Sequence, residues 1–392
     1  MVAKHSISHL PNHIFQQLGW DYFISPEAGD YLSSELVLVK QKEADAFYEA
    51  GKRLYELFCE AADFVVEENE FAALGIPENL IPLIRYTWED DRHLHLLGRF
   101  DFAGGIGGLP IRLLEFNADT PTSIPETAVI QWASLKANGL DENRQFNTLF
   151  DSLADNFRRL ANLNSDLEPR ILFSTMQDAP EDEHNVSLLM EAAREAGFEV
   201  EFAYVHEVTF SDKEGIFVPD GDGWKRCPFW FKLVPWEYIA YDEPDLARLL
   251  TSIVTNRLAV VVNPAYSLLF QSKGILKVLS DLYPDEAVLL KTSFQRPANP
   301  GRGYVEKVIF GREGSNVVIY GPDGEPLSGR EGDYGHYPSV FQSKADLPRD
   351  REGYYYQAGL FFAWEPAGLG FRRSQDLIMD DRSQFVGHYI QG

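Results

Sequence analysis

The chain has 392 residues, of which 45% are hydrophobic, and a formal net charge of −25. It is long enough for a sizeable core and two or more lobes, and its acidity excludes the basic footprint that binding to nucleic acids or anionic membranes requires. The negative charge could attract amines or metal-bound nucleotides, although acidic surfaces more commonly serve solubility.

The N-terminal sequence and the cysteines indicate the compartment. The first twenty residues lack the continuous apolar core of a secretory signal peptide. Cys59 and Cys227 form no CxxC pattern, which is typical of a reducing compartment. The longest apolar region, at 246–264, is interrupted by Arg248 and Arg257 and is therefore no membrane span. We expect a soluble, cytoplasmic protein with no nucleic-acid or membrane partner.

Hydrophobic periodicity predicts a helix and then a β-hairpin in the first third of the chain. Apolar residues recur at helical spacing over 43–68, which indicates an amphipathic helix. Residues 94–102 and 109–116 read as strands, and the GGIGG run at 104–108 supplies a turn between them. The two strands are therefore expected to pair antiparallel, and a further helix is predicted over 127–138.

The rest of the chain reads as an α/β middle followed by a β-rich final third. A strand, a helix and a strand in succession predict a parallel unit. The expected strands lie at 169–174, 198–205, 229–233, 259–262, 304–309, 316–320, 339–341 and 354–364, and the expected helices at 185–196, 243–256 and 272–282. These patterns indicate a mixed fold of the α/β and α+β classes.

The predicted hairpin carries four polar residues at alternating positions. Arg99 and Asp101 lie on the first strand, and Glu115 and Asn117 lie on the second, so each pair points to one face of its strand. Carboxylate and amide oxygens suit Mg²⁺, and a neighbouring arginine could hold a phosphoryl or carboxylate group. An exposed sheet face with ordinary cross-strand charge pairs explains the same pattern, and spacing alone favours that alternative.

Three further features could bind phosphate. The GREGSN loop at 311–316 lies between two predicted strands and follows Lys307; its glycines permit a turn whose amides could cover phosphates, although an ordinary hairpin loop is an equal alternative. Lys273 is predicted at the start of a helix, where exposed lysines are common. Arg372 lies in the GLGFRR segment at 368–373, after a predicted glycine turn, and could contact phosphate or solvent.

Six segments resemble, in family order, the synthetase domain of the glutathionylspermidine synthase family. They are GRFDF (98–102), LLEFNADTPTSIPE (113–126), LVPWEY (233–238), NPAYSLLFQSKGIL (263–276), EKVIFGREGSNV (306–317) and AGLGFRRSQDLI (367–378). The resemblance runs from about residue 18 to the end of the chain and is strongest to the stand-alone acid–amine ligase members. The most specific pairing is EFNADTPTS followed by GREGSN.

The resemblance implies an ATP-grasp fold with a pre-ATP-grasp-like α/β lobe, and ATP- and Mg²⁺-dependent formation of an amide bond. It implies that residues 1–260 form the N-terminal and pre-ATP-grasp-like region that carries the metal-ligand hairpin. Residues 261–392 would then form the nucleotide-binding region, with interleaved lobes.

The resemblance also implies individual roles. The Mg²⁺ ligands would be Asp101, Glu115 and Asn117, and the catalytic arginines beside the reacting phosphate would be Arg99 and Arg372. The residues that contact ATP would be Arg99, Lys273, Lys307, Gln342 and a flexible lid made of Gly311, Arg312, Glu313, Gly314 and Ser315.

The substrate residues follow from the same resemblance. In glutathione-using members a Ser–Ala–Ser–Cys stretch follows the Asn–Ala–Asp triplet, whereas this chain has Thr120, Thr122 and Ser123 in a Thr–Pro–Thr–Ser run. That difference argues against glutathione as the acid. Asp182 and Glu183 fall near the family's polyamine-facing acidic segment and could bind a cationic amine, although a solvated acidic loop explains them equally well.

The leading hypothesis is therefore an ATP-grasp ligase that joins a carboxylic acid to an amine through an acylphosphate and releases ADP and phosphate. The chain is too short for the amidase domain of the bifunctional relatives, so we expect no amidase activity. The alternatives are a catalytically weak ATP-binding pseudo-enzyme or regulatory protein of the same fold, and an acidic scaffold without a ligand. The joint presence of metal ligands and phosphate-binding lysines argues against both. The sequence identifies neither substrate and no oligomeric state.

Overall fold

The computed structural model describes residues 1–391 of the chain. Its strands, in chain order, are β1 (Lys4–Ser6), β2 (Leu32–Lys40), β3 (Gly98–Ala103), β4 (Arg112–Asn117), β5 (Arg170–Ser174), β6 (Glu199–Phe202), β7 (Thr209–Ser211), β8 (Gly215–Asp220), β9 (Gly223–Arg226), β10 (Phe229–Lys232), β11 (Val260–Val262), β12 (Thr292–Ser293), β13 (Tyr304–Val308), β14 (Val317–Tyr320), β15 (Pro326–Arg330), β16 (Ser339–Ser343), β17 (Tyr355–Ala363), β18 (Glu365–Ser374) and β19 (Gln384–Gln391).

The α-helices lie between and over these strands. They are α1 (Asn12–Leu18), α2 (Gln41–Glu67), α3 (Ile81–Glu89), α4 (Gln131–Ala137), α5 (Leu149–Leu163), α6 (Pro180–Glu195), α7 (Trp236–Asp242), α8 (Pro244–Thr255), α9 (Ser267–Gln271) and α10 (Ile275–Leu282). Short 3-10 helices span Asp21–Ile24, Glu70–Leu74, Glu78–Leu80 and Val205–Glu207, and a π-helical turn, Glu126–Ile130, leads directly into α4.

The largest sheet has seven strands in the order β1-β2-β19-β18-β17-β3-β4. All neighbours in it are antiparallel except β19 and β2, which are parallel. Helix α2 packs on one face of this sheet, where Phe58 lies edge-on to Phe100 with ring centroids 5.7 Å apart and Phe47 lies 5.9 Å from Phe102. Burying this aromatic layer fixes which face of β3 is left for polar side chains, because neighbouring residues of a strand point to opposite faces.

Three smaller sheets complete the fold. A parallel sheet has the order β11-β10-β5-β6, an antiparallel sheet has the order β12-β16-β13-β14-β15, and the antiparallel strands β7, β8 and β9 form the third. A second hydrophobic core lies around the parallel sheet and includes Phe157 of α5, Leu189 of α6 and Phe173 of β5. The result is the mixed α/β architecture that the sequence predicts.

The predicted elements are mostly confirmed in type. The helix predicted over 43–68 is α2, the hairpin is β3–β4, and the parallel unit is β5–α6–β6. The helix predicted over 272–282 is α10, which begins three residues later than predicted, and the preceding helix α9 was not predicted; residues 272–274 between the two are not helical. The seven-stranded sheet takes strands from both ends of the chain, and the division expected near residue 260 stays a prediction.

Within residues 1–391, no helix has the length and the apolar character needed to cross a lipid bilayer.

Candidate active site

The hairpin β3–β4 brings four polar side chains to one face. Arg99 lies opposite Asn117 and Asp101 lies opposite Glu115 in the antiparallel register. We call these four residues the polar quartet. The intervening side chain of β3, Phe100, is fully buried and stacks on Phe116 with ring centroids 3.8 Å apart. The alternation therefore separates an aromatic core face from a polar face, and the quartet borders a cavity rather than open solvent.

Arg99 and Asp101 are locked together within the quartet. The Arg99 guanidinium donates to Asp101 through Nε (2.7 Å to Oδ1) and Nη2 (3.0 Å to Oδ2), and its Nη1 donates to the Thr122 carbonyl at 2.7 Å. Asn117 Nδ2 donates to Asp101 Oδ2 at 3.1 Å. Burial opposes the charge on Arg99, but the Asp101 carboxylate outweighs it and raises the arginine pKa. The guanidinium is thus held charged in one orientation.

Two lysines, Lys273 and Lys307, act electrostatically on Glu115. Lys273 Nζ lies 3.2 Å from Glu115 Oε2 and donates to the Gly311 carbonyl at 2.7 Å. Burial alone would raise the Glu115 pKa, but Lys273 and Lys307 outweigh it and lower the pKa to about 2. Burial lowers the pKa of Lys307 to about 8, against the opposing pull of Glu115. Lys273 is only 4% exposed, so the exposed-lysine alternative is wrong.

A β-bulge shapes the same end of the hairpin. The register shifts between Asp101 and Phe102, so that Leu114 has no partner on β3. The Leu114 carbonyl instead accepts a hydrogen bond from Lys307 Nζ at 2.9 Å. Gln342 Nε2 of β16 donates to the adjacent Leu113 carbonyl at 3.2 Å. The irregularity thus ties the hairpin to the five-stranded sheet.

A cavity of about 460 Å³ lies between the hairpin and the five-stranded sheet. The predicted site residues that line it are Arg99, Asp101, Glu115, Asn117, Thr120, Thr122, Asp182, Lys273, Lys307, Gly311, Arg312, Glu313, Gly314, Ser315, Gln342 and Arg372. Ser123 lines a much smaller adjoining cavity, which shares Arg99, Asp101 and Arg372 with the large one. Glu183 lines neither of them. Residues far apart in the sequence are thus assembled around one space.

The glycine loop at 311–316 joins β13 to β14 and closes one side of the cavity. Gly314 has a positive φ of 69°, and a Cβ atom there would lie 2.5 Å from the Met379 carbonyl oxygen. Only glycine therefore allows the loop this close approach. Arg312 Nη2 donates to Glu237 Oε1 of α7 at 2.7 Å, which joins the loop to the opposite wall.

Residues 368–373 all lie within strand β18, so the glycine turn predicted in this segment before Arg372 is wrong. The glycines there allow close packing instead of a turn: a Cβ atom on Gly370 would lie 2.8 Å from the Phe385 ring. Arg372 Nη2 donates to the Asp380 carbonyl, and its side chain lines both cavities.

The acidic residues 181–183 form the first turn of α6, which begins five residues earlier than predicted, so they do not belong to a solvated loop. Asp182 lines the large cavity, and burial raises its pKa to about 7 with help from Glu181 and Glu313. Glu183 accepts a hydrogen bond from the Tyr204 hydroxyl at 3.1 Å. Of the predicted amine-binding pair, only Asp182 reaches the cavity.

Several residues of the site were not predicted. Val305 and Ile319 are cross-strand partners on the cavity face of β13 and β14, and they form an apolar wall beside Lys307. The alternation of Val305 with Lys307 along the predicted strand was the sequence feature that could have indicated this wall. Tyr238 and Glu237, both in the LVPWEY segment, contact the glycine loop through Arg312. No local pattern marked these two residues, because their role depends on the tertiary contact.

The residues around the cavity fit a nucleotide and Mg²⁺. Two carboxylates and an amide oxygen could supply the few protein ligands that Mg²⁺ needs when substrate phosphates and waters complete its shell. Lys273 and Lys307 stand beside them, and the apolar wall could receive a flat base. Within residues 1–391, no cluster of three or more His, Cys, Asp or Glu side chains could hold a metal by itself, as is usual for Mg²⁺.

Known proteins resemble this chain over nearly its whole length. A family model described as "Glutathionylspermidine synthase preATP-grasp" matches residues 3–391. A Haemophilus influenzae protein named "Putative acid--amine ligase" is 29% identical over 390 residues, which cover 95% of each chain.

The trypanothione synthetase of Crithidia fasciculata is 25% identical over 360 residues, which cover 87% of this chain and 54% of that protein. The bifunctional glutathionylspermidine synthetase/amidase of Escherichia coli is 26% identical over 85% of this chain and 56% of that protein. The chain thus spans about half the length of these last two relatives.

Among solved structures, a glutathione synthetase-like effector from Globodera pallida in its apo form superposes with a TM-score of 0.56. The match covers 99% of this chain and 100% of that one at 10% sequence identity. This likeness concerns the fold alone, and it confirms the ATP-grasp fold class that the family resemblance implies.

Proposed function

The chain belongs to the glutathionylspermidine synthase family, and on that premise we propose that it is an ATP- and Mg²⁺-dependent ligase that joins a carboxylic acid to an amine. The acid would be activated as an acylphosphate, and the products would be an amide, ADP and phosphate. The relatives named above support a ligase of the acid–amine type.

The observation that carries the proposal is the contact of Glu115 with Lys273 inside a cavity that Asp101 and Lys307 also line. Buried cations beside paired carboxylates are costly unless a ligand uses them. A metal-bound polyphosphate uses both signs of charge, because its metal needs oxygen ligands and its phosphates need cations.

Bound Mg²⁺-ATP would supply an electrophilic phosphoryl group whose charge the metal partly neutralises. Asp101, Glu115 and Asn117 would hold the metal, and Lys273 and Lys307 would hold the phosphates. Gln342 and the apolar wall of Val305 and Ile319 would receive the base.

The chain's own residues would orient the acid and exclude water. Arg99 is fixed by Asp101 and by the Thr122 carbonyl before any ligand binds, so it costs little reorganisation when it orients a carboxylate. Thr120 and Thr122 border the same part of the cavity. The glycine loop would shield the activated acid, which hydrolyses in water.

The amine would enter beside Asp182. The pKa of this carboxyl is about 7, so it is ionised at slightly alkaline pH and can attract a cationic amine, polyamines among them. Ionisation of Asp182 should therefore favour amine binding as the pH rises through 7.

The test is ADP release from a screen of carboxylic acids crossed with amines, with and without Mg²⁺. The wild-type chain should release ADP fastest when the right acid and amine are both present. Asp101→Asn and Glu115→Gln should each lower kcat by about 100-fold or more, because each replaces a charged metal ligand with a neutral amide that stabilises the metal and its charge less well. Glu306→Gln is the matched control, since Glu306 neighbours Lys307 on β13 but hydrogen-bonds Tyr320 and does not line the cavity.

Failure of the wild-type chain to bind Mg²⁺-ATP in calorimetry would refute the proposal. Tight binding of ATP without ADP release in any acid–amine combination would favour a nucleotide-binding regulatory protein instead.

A further inference from the structure

A buried carboxylate of α7 lies against the glycine loop from the other side of the cavity. Glu237 has a side-chain exposure of 0%, and its Oε1 accepts from Arg312 Nη2 at 2.7 Å. Arg312 also lies over the Tyr238 ring, with its guanidinium carbon 5.4 Å from the ring centroid. One helix therefore contacts the loop arginine through both a charge and an aromatic face.

The Glu237–Arg312 pair is only half satisfied. Glu237 Oε2 and Arg312 Nη1 are both buried, and neither has a hydrogen-bond partner among the described residues. An ion pair that served stability alone would be expected to use both terminal nitrogens of the guanidinium, because unpaired buried polar atoms cost free energy. The incomplete pairing therefore points to a role in the site, since the Arg312 side chain is 18% exposed and lines the cavity while Glu237 holds it there.

The rest of the loop is held in the same position by other contacts. Lys273 Nζ donates to the Gly311 carbonyl, and Gly314 packs against Met379. These contacts fix the two glycines, whereas Glu237 fixes the side chain between them. The position of the Arg312 guanidinium thus depends on Glu237.

We propose that Glu237 is a positioning residue: it holds Arg312 so that the glycine loop stays closed over the cavity and the arginine side chain, which lines the cavity, is directed toward a phosphoryl oxygen of a nucleoside triphosphate. This inference rests on the proposed function, since it names the nucleotide as the ligand of Arg312. Glu237 itself does not touch the nucleotide.

The first experiment is a double-mutant cycle on Mg²⁺-ATP affinity, measured by calorimetry without the acid or the amine. Glu237→Ala and Arg312→Ala should each raise the Kd about tenfold, and the double variant should bind no more weakly than Arg312→Ala alone. Glu237→Gln keeps the shape but loses the charge, so it covers the case in which Glu237→Ala does not fold. Glu243→Gln, at an exposed position after α7, is the matched control and should bind as the wild type does.

The second experiment is limited trypsin digestion, followed by mass spectrometry at the Arg312–Glu313 bond. Glu237→Gln should speed this cleavage severalfold, and Mg²⁺-ATP should protect the wild type more than the variant. A general loss of stability would instead speed cleavage at many sites.

The outcomes separate the two proposals. If the wild type binds Mg²⁺-ATP but Glu237→Gln binds it equally or more tightly, or if the two alanine substitutions are additive, the role of Glu237 is refuted while the ligase proposal stands. If the wild type does not bind Mg²⁺-ATP, the proposed function fails and this inference fails with it.

Discussion

Glu126 offers a test of the structure that needs no substrate. Its side chain is fully buried where the π-helical turn begins, its Oε1 accepts from the Tyr31 hydroxyl at 2.6 Å, and its Oε2 has no partner among residues 1–391. Burial raises its pKa from 4.5 to about 7; the hydrogen bond from Tyr31 and the charge of Arg99 oppose the rise, and Glu181 adds to it. The folded chain therefore keeps this proton at pH values where the unfolded chain loses it.

The sign and size of the effect follow from proton linkage. Between pH 4.5 and 7 the folded state binds more protons at Glu126 than the unfolded state does, so this residue lowers the stability as the pH rises through that window. At about 1.4 kcal/mol for each pH unit, the ionisation of Glu126 costs about 3 kcal/mol above pH 7. With an unfolding entropy of about 2.1 cal/mol/K per residue, that corresponds to about 4 °C in Tm for this chain.

The assay compares Tm from pH 5 to pH 8 for the wild type and Glu126→Gln. The glutamine keeps an acceptor for Tyr31 but has no charge, so the variant should lose less stability than the wild type as the pH rises, by up to about 4 °C at pH 8. Glu49→Gln, on the exposed face of α2, is the control and should follow the wild-type curve. Parallel curves for the wild type and Glu126→Gln would refute the buried, protonated state of this carboxyl.

Two further substitutions test the packing behind the site. Lys232 Nζ lies 3.2 Å from Asp119 Oδ1 with both side chains fully buried, so Lys232→Met should lower the free energy of unfolding by about 3–5 kcal/mol in urea titrations, and Lys232→Met with Asp119→Asn should recover part of the loss. A loss below about 1 kcal/mol would contradict a charged buried pair. A Cβ atom on Gly98 would lie 2.5 Å from the Phe116 ring, so Gly98→Ala should cost about 1–3 kcal/mol in the same titration. Gly223→Ala has room and is its control; equal effects of the two would contradict the close packing of the hairpin.

The local parts of the site were predictable because they depend on strand periodicity. The alternation of Arg99 and Asp101 with Phe100 and Phe102 was enough to predict that one face of β3 is polar. The same periodicity did not tell whether that face meets solvent or protein. Spacing alone favoured solvent, which is wrong, because the five-stranded sheet covers the hairpin and only the tertiary fold determines that contact.

The predictions that were wrong concern segments whose local composition suggests a different structure from the one that they adopt. Gly368 and Gly370 read as a turn, yet both lie inside β18, where small residues let Thr127 and Phe385 approach the backbone. The partners of Glu115 could not be predicted from spacing either, because Lys273 comes from a different part of the chain. The roles of Glu115 and Lys273 followed only from the family resemblance, and these roles stay predictions until the variants are measured.

The strand order of the largest sheet determines when its strands can pair during synthesis of the chain. Strand β3 carries half of the polar quartet, yet its partner on one side is β17, which lies in the last tenth of the chain. A ribosome that adds residues from the N-terminus therefore releases Arg99 and Asp101 long before the strand that supports them exists. Pairing of such distant segments must wait for a costly loop closure and is intrinsically slow. A nascent or truncated chain that lacks β17 to β19 would hold its aromatic layer and its charges without a finished sheet, so the nucleotide binding proposed above should appear only after these three strands have been made.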